Sequence, residues 1–168
     1  MVALRPWSHG DLEILRATVG SRAIMEHLGG PETPEQIAQR HERYLALSDP
    51  RSGGMFTIAF GAGGEVAGTI GFWEAIWRGV SIYETGWMVL ERYARNGVAS
   101  AAAIAIVRRA REQRHHRFLH AFPSVANVAS NRVCAKAGFT NCGECDFEYP
   151  QGCFMRSNDW RIDLEAGC

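Results

Sequence analysis

The stretch from Val80 to Arg114 constrains this chain more than any other part of it. Val80–Leu90 is its most strand-like segment, Glu91-Arg-Tyr-Ala-Arg-Asn-Gly-Val-Ala-Ser100 is a basic loop containing a glycine, and a long helix is predicted from Gly97 to Arg114. A strand that empties into a long helix needs a sheet for that helix to lie on, so an α/β domain is predicted. The junction is also an anion cradle. Backbone N–H groups of Asn96, Gly97, Val98, Ala99 and Ser100 and the helix dipole converge on one spot. Gly97 and Ala99 keep side chains away where a phosphate must approach the backbone, and Arg92 or Arg95 can add charge. Taken alone, the segment reads equally well as a plain strand–helix connection. It is not a Walker loop, because no Gly-Lys-Ser/Thr follows.

The remaining elements fall around this unit. Val2–Trp7 reads as an opening strand, with Ser8 capping a helix through Asp11, Leu12 and Leu15. Thr33-Pro-Glu-Gln36 is a capping box with proline at the first helical position, and Ile37, Tyr44 and Leu45 continue an apolar stripe. Gly29-Gly30-Pro31 breaks the two helices apart, and the connection between them is placed to lie over a site. Met55–Phe60, the turn Gly61–Gly64 and Glu65–Trp73 read as a hairpin. Phe118–Phe122 is a strand, and Asn127 caps a helix that Gly138 ends. Thr140–Tyr149 and Phe154–Leu164 are strands joined at Pro150-Gln-Gly152. The predicted order is β-αα-βββ-α-β-α-ββ over one domain, residues 1–168, with a mixed, mostly antiparallel sheet flanked by helices.

Composition removes several function classes. Eighteen basic residues balance eighteen acidic ones, which argues against a dedicated nucleic-acid binder. No apolar run approaches the ~18 residues of a membrane span, and Met1–Trp7 lacks the apolar core of an export signal. The five cysteines are odd in number and crowd the last third of the chain, unlike a secreted disulfide framework, so a cytoplasmic location is expected. Cys142-Gly-Glu-Cys145 has no second pair of cysteines or histidines to complete a metal site, and two strand residues at that spacing face opposite ways. No metal is expected.

A second segment, Asn127-Val-Ala-Ser-Asn-Arg-Val-Cys-Ala-Lys-Ala-Gly-Phe139, gives the loop its meaning. Together the two resemble the GCN5-related N-acetyltransferase (GNAT) superfamily and, within it, the ribosomal-protein N-acetyltransferase (RimJ/RimL-type) subfamily. Ala94-Arg-Asn-Gly97-Val-Ala99 matches the acetyl-CoA loop, and the second segment matches the Asn-x-x-Ser-x-Arg-Val…Lys-x-Gly-Phe helix. The order of elements agrees over essentially the whole chain. Two departures stand out. Ala94 replaces the loop's usual Gln or Arg, with Arg95 one residue on to supply the phosphate contact. Cys134 stands where many members carry the tyrosine that protonates the leaving thiolate. The resemblance offers Ser130 as its substitute, with Asn127 capping beside the cofactor. It also implies that backbone groups of Met88, Val89 and Leu90 align the pantetheine arm, with an N–H near Val89 facing the oxyanion, and that a homodimer is common among similar proteins.

Two carboxylates compete for the base. Glu144, Asp146 and Glu148 share one face of their strand, where like charges raise one another's pKa. The resemblance points to Glu148, in the pair Glu148-Tyr149. The rival is Glu84, a lone carboxylate sharing a strand face with Ile82, Gly86, Met88 and Leu90, a setting that demands a partner or a task. Trp73, Trp77 and Trp87 cluster nearby, either as core or as a pocket for a cationic amine.

The expected activity is direct transfer of an acetyl group from acetyl-CoA to a primary amine. An α-amine of pKa about 8 is easier to deprotonate than a lysine amine by about 3 kcal/mol, which favours an N-terminal α-amine or an activated small-molecule amine. Two alternatives stay open. One is another acyl donor such as aminoacyl-tRNA, with Arg108–Arg117 as the RNA contact; the other is a non-catalytic ligand-binding module.

Overall fold

The computed structural model describes residues 1–47 and 49–166; Cys168 lies outside the described residues. Seven strands form one sheet: β1 (Val2–Pro6), β2 (Gly53–Phe60), β3 (Glu65–Trp77), β4 (Val80–Val89), β5 (Phe118–Ala121), β6 (Thr140–Glu148) and β7 (Phe154–Asp163). Four helices accompany them: α1 (Leu12–Thr18), α2 (Pro34–Ala46), α3 (Val98–Gln113) and α4 (Val128–Lys136). The order is β-αα-βββ-α-β-α-ββ, as expected from the sequence, and the α/β class holds. Strands lie in the order β1-β2-β3-β4-β5-β7-β6, every described pair antiparallel except β4 with β5.

Local chemistry explains the boundaries. Thr33 Oγ1 accepts a hydrogen bond from Gln36 N while Gln36 Oε1 accepts one from Thr33 N, and Pro34 follows, so α2 starts as its capping box requires. Ser8 and Asp11 close a reciprocal box around a short 3-10 turn that runs on into α1. Strand β3 extends to Trp77, beyond the Trp73 end expected from the pattern. Its pairing with β4 carries it past the last β2 partner.

Strand alternation sends Phe56, Ile58, Ile70, Phe72, Tyr83 and Leu119 to one face. There they pack on Ala102, Ala103, Ile106 and Ala110 of α3 and on Cys134 of α4. The small alanines let α3 approach closely. Each fully buried Ile or Phe there contributes roughly 1.5–3 kcal/mol. The other face is covered by α1, α2 and their connection through Leu15, Val19, Met25 and Ile37, with Met88 of β4 against them.

One irregularity positions the site. β5 meets β4 only at Tyr83↔Leu119 and Glu84↔His120, and β4 runs on to Val89 without it. After Ala121 the chain enters Phe122-Pro123, where proline has no N–H to give a ladder. It then turns towards β7, bridging Ser124 to Ser157. The sheet is therefore split between β4 and β5 from Thr85 onward. The Leu90 N–H bonds to Ala67 O, so by antiparallel alternation Thr85, Trp87 and Val89 turn their backbone groups away from β3 and into the split.

Candidate functional site

A cavity of about 860 Å³ fills the split. It is lined from both faces of the sheet: Met55, Thr69, Trp73, Glu84, Gly86 and Met88 from the α1/α2 side, and Trp87, Val89 and Val98 from the α3 side. The opening thus runs through the sheet.

One end is the cradle. Gly97 has φ +74, the left-handed region, and serves as N-cap of α3; a Cβ built on it would touch nothing within 4 Å. The first-turn N–H groups of Val98, Ala99 and Ser100 have no intrahelical acceptor, and these residues line the cavity with Gly97. Arg95 also lines it, at φ +64. Arg92 does not; its guanidinium lies over the Tyr93 ring at 4.9 Å. Asn96 and Leu90 lie outside the lining, Leu90 being buried. Arg132 and Lys136, one turn apart on α4, add positive charge to the wall. Their spacing could have flagged them in the sequence, since residues four apart share a helix face.

On α4 the sequence's single stripe divides into three roles. Asn127 caps the helix through a 3.0 Å hydrogen bond from Ser130 N. Ser130 lines the cavity, and among the described residues its hydroxyl has no protein partner. Asn131 looks the other way, accepting from Asn158 Nδ2 at 2.7 Å and Trp160 Nε1 at 2.8 Å. Cys134 is 0 % exposed inside the core, and burial pushes its thiol up to about 12. It lies outside the cavity lining.

The carboxylates separate as clearly. Glu84 stands half-buried in the cavity wall beside the start of the split. Desolvation pushes its carboxyl up to about 7, with a Trp73 hydrogen bond pulling the other way. Trp73 is its cross-strand partner on β3, and its indole lies over Gly86, where a Cβ would come within 3.3 Å of the ring. Glu148 is exposed, outside the cavity lining, and accepts a 2.8 Å hydrogen bond from Gly152 N. The like-charge argument for its strand face also weakens, because Arg156 pairs with both Glu144 and Asp146. Alternation brings the neighbouring side chains inward instead: Phe147 and Tyr149 line the cavity.

The tryptophans do not form one pocket. Trp73 and Trp87 line the cavity from opposite sheet faces. Trp77 lies in a separate cluster, donating to Asp159 at 3.0 Å, and Asp159 in turn holds the buried His120 at 2.7 Å.

Sequence reading missed a half-buried network at the other end of the cavity. Arg40 of α2 is gripped by Glu32 and donates to the hydroxyls of Tyr44 and Tyr149, each at 3.0 Å. Burial works against the Arg40 charge, but Glu32 and the two phenols hold its pKa above the ordinary range. The α1–α2 connection covers this end with Ala23, Ile24, Glu26, His27 and Leu28, as its position between the helices led one to expect.

In the Arg108–Arg117 run, three arginines are engaged with their own chain. Arg109 lies over Phe56 at 4.7 Å, Arg111 donates to Ala166 O, and Arg117 pairs with Asp163 at 2.8 Å. No helix among the described residues is long and apolar enough to cross a membrane.

Comparison with known proteins gives a consistent picture. Residues 2–140 match the family model described as an acetyltransferase (GNAT) domain. No curated protein sequence matches the chain. Among solved structures, a GNAT-family acetyltransferase from Bacillus anthracis superposes with TM-score 0.79 at 20% identity, over 98% of this chain and 95% of that one. An aminoglycoside acetyltransferase in complex with coenzyme A gives 0.78 at 19%, over 97% and 95%. An acetyltransferase from Agrobacterium tumefaciens gives 0.76 at 24%, over 96% and 90%. At these identities the likeness is one of fold.

Proposed function

Since the chain belongs to the GNAT acetyltransferase family, we propose that it moves an acetyl group from acetyl-CoA to the primary amine of a small molecule within a ternary complex. The observation that carries this reading is Glu84: a carboxyl pushed up to about 7, in a cavity whose other end is an anion cradle, beside the open edge of β4. The residues present fit acetyl-CoA. The Gly97–Ser100 amides with Arg95 suit its pyrophosphate, and the unpaired backbone of β4 suits its amide-bearing arm as an added strand.

Chemistry then follows from position. Glu84 takes a proton from the incoming ammonium, directly or through water, freeing the nitrogen lone pair to attack the thioester carbon. The Val89 N–H, turned into the split, is placed to donate to the carbonyl oxygen as charge grows there. As the C–S bond breaks, Ser130 Oγ–H protonates the leaving thiolate, and the second proton of the attacking nitrogen, lost as the amide forms, passes through water to restore the Ser130 hydroxyl. The products are an amide and free coenzyme A thiol. Glu84 therefore replaces Glu148 as the base, and the part of the Glu148-Tyr149 pair that reaches the cavity is the tyrosine.

The cavity wall also narrows the acceptor. Its carboxylates among the described residues are Glu26, Glu84 and Glu91. Glu91 adjoins the cradle loop and Glu26 is exposed, whereas Ile24, Leu28, Met55, Trp73, Tyr149 and Met155 supply mostly apolar surface. Arg40 is already neutralised by Glu32 and so is not free for an acidic substrate. This suits an amine with a single positive charge on an apolar or aromatic body better than a polycation, which needs a carboxylate for each ammonium. Thiol release with acetyl-CoA over a panel of aromatic monoamines, peptide N-termini, spermidine and kanamycin tests both statements. No thiol from any amine removes the enzymatic reading. Faster turnover of the polycations removes the charge argument alone. The engaged arginines of Arg108–Arg117 speak against an aminoacyl-tRNA donor.

A further inference from the structure

Far from the cradle, the closed end of the β4–β5 pairing carries a second constellation. Arg114, at φ +50, ends α3 in a left-handed turn and drops the next two residues onto the sheet. There the Nε2 atoms of both His115 and His116 converge on one oxygen of Glu74, at 3.0 and 2.9 Å. Consecutive side chains ordinarily diverge, and here both imidazoles serve a single carboxylate on β3. The arrangement is held from several sides. The His116 ring meets the Tyr83 ring edge-on at 4.7 Å, the two imidazoles lie 4.5 Å apart, and Glu74 N bonds to Ser52 O at 3.1 Å.

We propose that Glu74, His115 and His116 form a binding site for a divalent transition-metal ion of the zinc class. Two imidazole nitrogens and one carboxylate oxygen are the donor set such borderline ions prefer. The three ligand atoms already lie within 4.8 Å of one another. Bonds of about 2.0–2.2 Å in a tetrahedron place ligand atoms about 3.3 Å apart, so small side-chain rotations suffice. On binding, the proton on each neutral imidazole moves from Nε2 to Nδ1, the Nε2 lone pairs turn to the ion, and two hydrogen bonds to Glu74 give way to three coordinate bonds. His115 and Glu74 are exposed enough to admit the ion and leave it an outward position for water, while His116 is largely covered. The ion would fasten β3 to the connection that leads into β5, next to the Tyr83↔Leu119 pair where the two strands first meet. This site is independent of the acetyl-transfer reading.

Titration of the metal-stripped protein with zinc chloride, followed by calorimetry and thermal unfolding, tests it. The expected result is saturable one-to-one binding and a Tm rise reversed by EDTA. Affinity should fall about tenfold or more in Glu74→Gln and in His115→Ala. Both residues are surface-exposed, and a cooperative unfolding transition in each variant confirms that the fold is intact. A Cys142→Ser/Cys153→Ser variant should bind as the parent does, and cobalt(II) in place of zinc should show no thiolate charge-transfer absorption. Absence of saturable binding, or binding that survives Glu74→Gln and His115→Ala but is lost with the two cysteines, overturns the proposal.

Discussion

Replacing Glu84 by glutamine should make the protein more stable and less active, and the two effects should share one pH dependence. Burial in the cavity wall takes the carboxyl from 4.5 to about 7. That difference corresponds to about 3 kcal/mol between its protonation states, and water entering the open cavity lowers the effective figure to about 1–3 kcal/mol. The sign follows from where each state holds its proton. Below pH 4.5 the carboxyl is neutral folded and unfolded alike, and nothing is lost. As pH rises from there to about 7, the unfolded chain ionises while the folded one keeps its proton, and stability falls. Above that the full penalty applies. Glu84→Gln cannot ionise, so it should match the parent near pH 4.5 and exceed it at pH 8 by about 3–10 °C in Tm. In the thiol-release assay the parent's kcat/KM should show an acidic limb with an apparent pKa near 7. The variant should lose that limb and about two to four orders of magnitude in rate at neutral pH, recovering partly as more amine is neutral in solution. Glu148→Gln, which changes only an exposed group bonded to Gly152 N, should keep both the limb and the rate. A Glu84→Gln variant with the limb intact, or with the same stability difference at pH 4.5 and pH 8, would refute the reasoning.

Other substitutions test other parts of the site. Ser130→Ala should slow turnover about ten- to a hundredfold at unchanged acetyl-CoA affinity, as befits a group that acts when charge develops on sulfur. Cys134→Ala should cost roughly 1 kcal/mol through the small void it leaves in the core, with little change in rate; a severe rate loss there would transfer the acid's role to the thiol. Gly97→Asn should fold, because asparagine tolerates the left-handed region and the new Cβ meets no protein atom within 4 Å, yet the acetyl-CoA melting shift should vanish. An unchanged shift would remove the cradle. Gly86→Ala should push the Trp73 indole by a few tenths of an ångström and raise KM for the amine while leaving acetyl-CoA binding alone.

The architecture was legible in the chain because each boundary is set locally. The Thr33–Gln36 box, the left-handed Gly97 and Gly138, the proline after Phe122 and the β-branched and aromatic residues of Val80–Val89 act within a few residues of themselves. The same holds for the cradle, whose amides belong to one loop and one helix N-terminus. Alternation even sorted Glu144, Asp146 and Glu148 correctly onto one face. What it could not say is whether that face or its opposite looks into the cavity, and the sheet order turns Phe147 and Tyr149 inward. Periodicity likewise could not tell Ser130, Asn131 and Cys134 apart, because a helical stripe spans an arc wide enough to touch a cavity, a strand and a core at once. Glu84 owes its raised pKa to the protein packed around it, and Arg40 meets Tyr149 across 109 residues of sequence. Desolvation and contacts between distant segments arise only when the layers assemble, so local sequence determined the elements and the run of free amides at the start of α3, and tertiary packing decided which carboxylate is desolvated in the cavity wall.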